Sequence, residues 1–514
     1  MPFENIDFKA ISGLLNNKLN KKLVLQGLMS PFDLFLVKSI AKNNKKVLYI
    51  TLDEQSALKN QKDFKTLFNV ETRVLPSQEI SLYSELEKNY YIYNEQIEIF
   101  NSKPDIVFAP VKALFEKFNS IEFYKNNTIT ITKNSEIDYT NIAKKLILMG
   151  YKRTTSVTDI GEFALRGDIL DVYSLSKNPV RIEFFADSVE DIRYFNPSNQ
   201  KSFEHIDKID ILPLYKFILD DENKSEFKKY LNNIVNKNDE FQNNLKNELI
   251  EKLDETGYFE GIEYYFNNFC SKPATVLDFF KDYTIVFKES SKILSKYQNI
   301  DENYINQYDE AIKSNLKFPL EKLNHLKFEE FNRELKKFNI VSFDNFISDD
   351  FDKLVEFNLS LPPVFSSNIS EAGKFIKKYL SKNYKIFICS NFPKRLKEIF
   401  DELEIFSNNM FYFPDISTGG AISEDEKISN DKILFITDKE LFNKHSRDIT
   451  SKQYYSNKQS KDFIDSINDI KIGEYVVHSV HGIGIYNGIT KQTIDDSQKD
   501  YLEIQFQGTD KLFM

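Results

Sequence analysis

Short apolar runs alternate with stretches of helical periodicity over the first 118 residues. The apolar runs KKLVLQGL, KKVLYITL and DIVFAP lie on either side of FDLFLVKSIAKN and EQSALKNQKDFKTLF, where apolar positions recur at helical spacing. Short buried strands that alternate with helices are typical of βαβ units, whose strands lie parallel in one sheet. The pattern therefore predicts an α/β domain at the start of the chain.

The period changes to two between Thr128 and Pro213, in the segments ITITK, GEFALRGDILDVYS, PVRIEFFAD and EDIRYF. Such alternation predicts a separate, mainly β domain. Residues 216–256 return to a mixed-charge helical pattern, and a second α/β portion begins near Asp344. The last 43 residues contain short strand-like runs separated by glycine, which favour a small β-barrel.

Composition narrows the classes of function. The 514 residues, at about 150 per domain, predict three or four domains. Lys+Arg 68 against Asp+Glu 78 gives a net charge of −10 without a basic stripe, which argues against sequence-independent DNA binding as the main activity. Two distant cysteines and apolar runs too short to cross a bilayer predict a cytoplasmic protein without a disulfide framework or membrane span.

The turn GLMSPFD after the first strand is the natural place for a phosphate-binding loop. Such a loop needs several glycines, free backbone N–H groups and a lysine followed by Ser or Thr. Here Gly27 and Ser30 are followed by Pro31, which lacks an N–H, and by Asp33, which carries the wrong charge. We predict a degenerate loop that binds no nucleotide.

Other residues with catalytic potential have simpler interpretations. Asp53 and Glu54 imitate a magnesium-binding acidic pair, but an acidic first helical turn explains them better. The spacing of His478 and His481 places their rings on opposite faces of a strand, which makes a metal site improbable. The two cysteines, Cys270 and Cys389, lie in apolar runs and are expected in cores. The sequence thus predicts no catalytic residue, metal or cofactor, and directs attention to surfaces.

The strand PVRIEFFAD carries the most distinctive surface pattern. Its period places Ile182 and Phe184 on one face and Arg181, Glu183 and Phe185 on the other. If the first pair fills the core, the second face combines an aromatic ring with arginine, the grouping that is enriched at protein–protein hot spots.

Arg166, in FALRGDI, would add a second guanidinium able to bind a partner's carboxylate with two hydrogen bonds. The alternative is that both arginines pair within the sheet, with Asp168, Asp171 or Glu183, while another domain covers Phe185. The pattern alone leaves both interpretations open.

Several of these segments resemble one family in order along the chain. GEFALRGDILDVYS, PVRIEFFADSVEDIRYFNPSNQKS and IDILPL resemble domain 2 of the excision-repair protein UvrB and of the transcription-repair coupling factor (Mfd) family. GLMSPFD resembles the Mfd form of the first domain, and GYFEGIEYYFNNFCSKPATVLDFF is similar to the stretch that completes it. DKILFITDKELFNKHSRD resembles the third domain of the family, whereas GEYVVHSVHGIGIYNGI and DYLEIQFQGTDKLFM resemble its CarD-like RNA-polymerase-interacting domain.

The resemblance implies a multidomain α/β and α+β organisation. The expected parts are a UvrB-like parallel α/β domain in two pieces (1–127 and 214–340), an inserted UvrA-binding β domain (128–213), a third α/β domain (341–447), a linker (448–470) and an SH3/Tudor-like barrel (471–514). Because the final strand KLFM stops on apolar residues, we expect the barrel to be cut within the domain.

The resemblance also implies a function. The family recognises RNA polymerase stalled at DNA damage and recruits UvrA in the bacterial cytoplasm. By motif, Arg166, Arg181 and Phe185 match UvrA-contacting positions. The strand around residues 485–493 would lie against the polymerase β subunit, with candidate contacts at Ile485, Ile489, Lys491, Gln492 and Thr493.

The ATP-driven DNA translocase of the family would follow the polymerase-interacting domain, and its motifs do not occur in this sequence. ATP and magnesium are therefore expected to serve only that motor, and damaged DNA to be reached indirectly or through it. Two alternatives remain: an ATP-using UvrB-like excision or helicase protein, and a CarD-like transcription regulator.

Overall fold

A computed structural model gives the fold in two compact units, residues 1–448 and 449–514, which are taken separately. It describes residues 3, 6, 8, 22–42, 45–78, 90–137, 139–175, 178–214, 221–235, 239–256, 262–265, 267, 273–313, 320, 323–344, 351–443, 473–478, 482–494, 497–505 and 511–513. Within these residues, no helix is long and apolar enough to cross a membrane.

The strands of the first unit are numbered in chain order. They are β1 (Lys22–Gln26), β2 (Lys46–Thr51), β3 (Arg73–Val74), β4 (Ile106–Pro110), β5 (Lys117–Phe118), β6 (Ile129–Thr132), β7 (Lys152–Arg153), β8 (Glu162–Arg166), β9 (Ile169–Val172), β10 (Val180–Phe185), β11 (Ser188–Phe195), β12 (Ser202–His205), β13 (Lys208–Ile211), β14 (Ala274–Thr275), β15 (Tyr283–Lys288), β16 (Ile340–Phe343), β17 (Lys353–Glu356), β18 (Leu359–Ser360), β19 (Lys385–Cys389), β20 (Met410–Phe413), β21 (Ala421–Ser423) and β22 (Ile433–Thr437).

The α-helices of the same unit follow the same convention. They are α1 (Phe32–Lys42), α2 (Glu54–Phe68), α3 (Tyr90–Ser102), α4 (Ile121–Asn127), α5 (Tyr139–Leu148), α6 (Asp221–Ile234), α7 (Glu240–Thr256), α8 (Val276–Phe279), α9 (Ser290–Lys313), α10 (Phe328–Leu335), α11 (Ile369–Leu380), α12 (Pro393–Glu402) and α13 (Asp438–Phe442), with 3₁₀ turns at Val111–Leu114 and Ile262–Tyr265.

The first sheet has seven parallel strands in the order β17-β1-β16-β15-β2-β4-β3. Its central strands are apolar along nearly their whole length, as expected where helices cover both faces of a parallel sheet. The predicted α/β architecture is confirmed for this part of the chain. The sheet extends as far as Glu356, because β16 and β17 join it on either side of β1.

The inserted β segment forms a six-stranded sheet in the order β12-β11-β10-β9-β8-β7, antiparallel except where β7 meets β8. A separate ribbon pairs β6 with β13. The apolar side of the six-stranded sheet belongs to the same buried cluster as the first sheet, which contains both Leu48 and Ile182. The insertion is therefore joined to its host by a continuous core.

A third sheet, in the order β18-β21-β22-β19-β20, follows the first along the chain. Strands β22, β19 and β20 are parallel, whereas β18 and β21 pair antiparallel at the other edge. Helices α11 and α12 cover it through buried side chains that include Ile376, Leu396 and Phe400. The predicted second α/β portion is thus present.

Phenylalanine rings join the first and third sheets. The ring centroid of Phe3 lies 5.2 Å from that of Phe35 on α1 and 4.9 Å from that of Phe387 on β19. On β22, Phe435 lies 5.6 Å from Phe32 and 5.7 Å from Phe35. With 46 phenylalanines and no tryptophan in the chain, this contact relies on Phe pairs in edge-to-face, tilted and stacked arrangements.

The second unit has four antiparallel strands in the order of the chain: β23 (Tyr475–His478), β24 (Gly482–Ile494), β25 (Ser497–Gln505) and β26 (Lys511–Phe513). Val476, Tyr486 and Ile504 form its small apolar cluster. Because the described strands establish a sheet but not a closed barrel, the barrel remains a prediction. The expected linker lies outside the described residues.

Gly27 and Gly167 provide a matched pair for testing how tightly β1 and β17 fit. Both have positive φ, but a Cβ on Gly27 would lie 2.4 Å from the Phe357 carbonyl oxygen, whereas one on Gly167 meets nothing within 4 Å. We expect Gly167→Ala to lower the free energy of unfolding by about 1 kcal/mol. Gly27→Ala should cost about 3 kcal/mol or more, because steric overlap adds to the backbone strain. Urea denaturation measures both, and equal losses would contradict the close approach.

Candidate protein-interaction site on the β sheet

Two hairpin turns lie side by side at one end of the six-stranded sheet. Arg166 ends β8 at the turn into β9, and Phe185 ends β10 at the turn into β11. The Phe184 N–H donates a hydrogen bond of 2.8 Å to the carbonyl oxygen of Asp168, which ties one turn to the other. Arg166 and Phe185 are thus brought to the same end of the sheet.

The alternation predicted for β10 is confirmed. Ile182 and Phe184 are buried in the core, whereas Arg181, Glu183 and Phe185 lie on the opposite side. Phe185 is 75% exposed, an unusual position for a side chain whose burial is worth about 1.5–3 kcal/mol. No segment of the described first unit covers it, so that part of the alternative interpretation is not supported.

The carboxylate of Asp171, on β9, organises both arginines. It is fully buried, and it accepts hydrogen bonds of 2.7 Å from Arg181 Nε and 2.9 Å from Arg181 Nη2. Arg166 Nη2 also donates to Oδ2 of the same carboxylate. The arginines therefore pair within the sheet, as the alternative interpretation expected, and Asp171 is the partner.

Arg181 is held too firmly to be a simple surface contact. Its side chain is 16% exposed, against 50% for Arg166. Its guanidinium lies 4.7 Å from the Phe195 ring centroid, a cation–π contact, and its hydrogen bonds to Asp171 raise its pKa. Of the three predicted residues, Arg166 and Phe185 are accessible to a partner, whereas Arg181 is largely buried and binds the same Asp171 carboxylate as Arg166.

A further charge network continues across the same face. Arg193, opposite Arg181 in the register of β10 and β11, pairs with Glu183 and lies 3.4 Å from Asp191. Asp191 also lies 3.2 Å from the Lys133 ammonium. Each arginine on this face therefore has an acidic partner, which lets two cations occupy facing positions.

The degenerate nucleotide turn is filled by its own side chains. The Asp33 carboxylate, buried at the start of α1, accepts hydrogen bonds of 2.8 Å from Ser30 Oγ and 3.0 Å from the Tyr49 hydroxyl. The Leu34 N–H donates to the carbonyl oxygen of Pro31 and to Asp33 Oδ1. A phosphate here would meet the Asp33 carboxylate, which lies 3.4 Å from the Lys288 ammonium. The absence of nucleotide binding stays a prediction.

The remaining candidates have structural roles or lie outside the description. Asp53 caps α2, accepting 2.8 Å from the Ser56 N–H, as predicted for an acidic first turn. Cys389 is buried, and burial raises the pKa of its thiol. Cys270 and His481 fall outside the described residues, whereas the backbone of His478 lies in β23. Among the described side chains, no group of three or more His, Cys, Asp or Glu is arranged to hold a metal.

Comparisons with known proteins match these regions. Residues 129–217 match the UvrB interaction domain model, and residues 470–514 match the CarD-like/TRCF RID domain model. A transcription-repair-coupling factor of Staphylococcus aureus (strain MRSA252) is 25% identical over 93% of the chain, and one of Staphylococcus haemolyticus is 26% identical over 93%. This chain is similar to the transcription-repair coupling factors over most of its own length.

The relationship covers part of those proteins, because the chain spans 43% of the length of these coupling factors. Its UvrB interaction match contains the whole six-stranded sheet, including Asp171 and both hairpin turns. The predicted UvrA-binding residues Arg166, Arg181 and Phe185 all lie within this match.

The CarD-like match contains the strand expected to meet polymerase. Ile485 is half-buried on β24 and is paired with Tyr475, which is 74% exposed. Tyr486 lies on the other face, in the apolar cluster. The backbone of the remaining candidates, Ile489, Lys491, Gln492 and Thr493, is paired with β25, but their side chains lie outside the description.

Replacing Asp171 should destabilise the sheet far more than shortening Arg166. Asp171→Ala leaves the largely buried Arg181 without its carboxylate, which we expect to lower the free energy of unfolding by about 3 kcal/mol. Arg166→Ala removes a half-exposed partner and should cost less than about 1 kcal/mol. Urea denaturation distinguishes the two, and similar losses would show that the buried carboxylate does not organise this end of the sheet.

Proposed function

We propose that this chain is the docking part of a factor for transcription-coupled nucleotide-excision repair. In this proposal the hairpin end of the six-stranded sheet binds UvrA, and the second unit binds RNA polymerase stalled at DNA damage. The observation that carries the proposal is the exposed Phe185 ring beside the half-exposed Arg166, within the part that matches the UvrB interaction domain.

The geometry of this end of the sheet suits a protein partner. Aromatic and arginine side chains dominate binding hot spots because they combine apolar contact area with directed hydrogen bonds. Asp171 holds one edge of the Arg166 guanidinium, so less conformational freedom is lost when a partner's carboxylate binds the exposed part. Phe185 supplies the apolar contact at the adjacent turn.

The second unit supplies the proposed polymerase contact. Ile485 and Tyr475 lie opposite each other on two paired strands, on the side away from the apolar cluster around Tyr486. This apolar pair is a suitable contact for the polymerase β subunit, and its place within the CarD-like/TRCF RID match supports that assignment.

We assign no catalytic step to this chain. ATP and magnesium belong, in this proposal, to the DNA-translocating motor of the coupling-factor family, and damaged DNA is reached through that motor or through the stalled polymerase. The setting is the bacterial cytoplasm, where UvrA and RNA polymerase are both available.

Phe185→Ala should weaken UvrA binding by about 30-fold, because removal of a hot-spot aromatic costs about 2 kcal/mol. Titration calorimetry with purified UvrA measures this change, and thermal unfolding checks that the fold is retained. Phe203→Ala is the matched control, since Phe203 is 56% exposed on β12, near the opposite end of β11. The control should change the affinity by less than about threefold, and equal effects of the two substitutions would contradict the proposed site.

Ile485→Glu should weaken binding to the polymerase β subunit by at least about tenfold, since it places a charge in an apolar contact. The same variant should bind UvrA normally, whereas Phe185→Ala should bind polymerase normally. Pull-down and calorimetry with each partner measure the four combinations. Loss of both partners in either variant would show that the two surfaces do not act separately.

A further inference from the structure

Three parallel strands of the third sheet end at the same edge and are followed there by polar side chains. Asn391 follows β19, Asp415 follows β20, and Asp438 follows β22 directly. A further carboxylate reaches this edge from helix α2 of the first sheet's layer, because Asp63 contacts Ser417 in the loop after β20. The first and third sheets therefore meet at a group of acidic residues.

Asp63 is fully buried, and only one of its two carboxylate oxygens accepts hydrogen bonds of ordinary geometry. Its Oδ1 accepts hydrogen bonds of 2.8 Å from both the Ser417 N–H and the Ser417 hydroxyl. Its Oδ2 is buried near the Thr418 hydroxyl, which lowers the pKa of the carboxyl, but it makes no hydrogen bond of ordinary geometry. A charged carboxylate in this position loses its hydration without full replacement, which disfavours the ionised form.

Two further carboxylates lie at this edge: Asp438 is buried, whereas Asp415 is half-buried and both of its oxygens accept hydrogen bonds. Asp415 Oδ1 accepts 3.3 Å from the Asp438 N–H, and its Oδ2 accepts 3.3 Å from Asn391 Nδ2. Asp438 Oδ2 accepts 3.0 Å from the Asn391 N–H and 2.8 Å from its Nδ2, while Oδ1 is buried without a partner. The amide of Asn391 thus serves two carboxylates, which leaves their mutual repulsion largely uncompensated.

The other titratable groups around the cluster come from three elements. Lys62 on α2 acts on Asp63 and lowers its pKa, and the buried Cys389 ends β19. On α13, Glu440 Oε2 accepts hydrogen bonds from the Thr437 and Gly420 N–H groups, and the Lys439 side chain lies close to Gly419. The Glu440 carboxylate therefore has two fixed backbone donors, whereas Asp63 has one, the Ser417 N–H.

We propose that the contact of Asp63 with Ser417, beside Asp415 and Asp438, is a proton-responsive latch between the first and third sheets. Protonation of Asp63 neutralises the orphaned carboxylate and tightens the latch. Loss of the proton leaves three ionised carboxylates close together in a contact from which water is partly excluded. Their repulsion loosens the latch. At neutral pH the two sheets are therefore poised to shift against each other at this edge.

The titration range follows from burial and from mutual repulsion. Burial raises the pKa of Asp63 to about 6, and burial together with the nearby Asp438 raises that of Asp415 to about 6. Because both values lie above the usual value of 3.8, the folded state holds protons more tightly than the unfolded chain. The stabilisation is complete below pH 4 and is lost as the pH rises through about 6.

Asp63→Asn tests the latch in the whole chain. Asparagine keeps the oxygen that Ser417 binds and replaces the orphaned oxygen with a neutral amide. We expect its melting temperature to exceed that of the unaltered chain by at least about 2 °C at pH 7.5, with a difference less than about half as large at pH 4.5. Comparison of the two chains at each pH cancels the titration of groups elsewhere. A difference that is negative at pH 7.5, or the same at both pH values, would overturn the proposal.

Asp53→Asn is the matched control, because Asp53 caps the same helix at an exposed position and asparagine caps equally well. It should change the melting temperature by less than about 1 °C at either pH.

Hydrogen–deuterium exchange of residues 415–420 gives a local measurement that does not depend on global unfolding. After correction for intrinsic rates, protection should be at least about fivefold greater at pH 5.5 than at pH 7.5 in the unaltered chain, but less than about twofold greater in Asp63→Asn, where Asp415 still titrates. Protection that does not change with pH in the unaltered chain would refute the latch even if the variant proved unstable.

Discussion

Parallel strands bring their carboxyl ends to one edge of a sheet, and buried or half-buried carboxylates occupy that edge in both α/β sheets of this chain. Asp33 fills the turn after β1, and Asp415 and Asp438 follow β20 and β22. In open α/β sheets this edge is the usual place for ligands, and helix N-termini there favour anions. The acidic side chains in these positions are held by hydrogen bonds within the protein, and at the first of them the Lys288 ammonium lies 3.4 Å from the Asp33 carboxylate.

The two buried acidic sites differ in how their charge is balanced. Asp171 is paired with two guanidinium groups, so its charge is compensated and the hairpin end of the β sheet is held in one arrangement. Asp63 has a serine as its partner and an orphaned second oxygen, so its charge remains costly. An aspartate thus forms a fixed ion pair at position 171 and, in our proposal, a contact that depends on pH at position 63.

The sequence could predict those features that the spacing of residues within one strand or helix determines, but not those that depend on pairing between distant strands. The burial of Ile182 and Phe184 and the outward position of Phe185 follow from the period of two along one strand. The choice of Asp171 over Asp168 or Glu183 required the register between β9 and β10, which no local pattern specifies. Likewise β17, with only two half-buried residues between exposed ends, gives a weak strand signal, and its place beside β1 is a long-range pairing.

The contact between the first and third sheets was the least predictable feature, since Asp63 and Ser417 are separated by 354 residues. Its strength has two sources with different sensitivity to pH. The Phe3, Phe35, Phe387 and Phe435 rings supply apolar contact that does not titrate. Because this aromatic contact keeps the sheets together whatever the state of Asp63, the carboxylates adjust how tightly one edge is held and do not decide whether the sheets are joined.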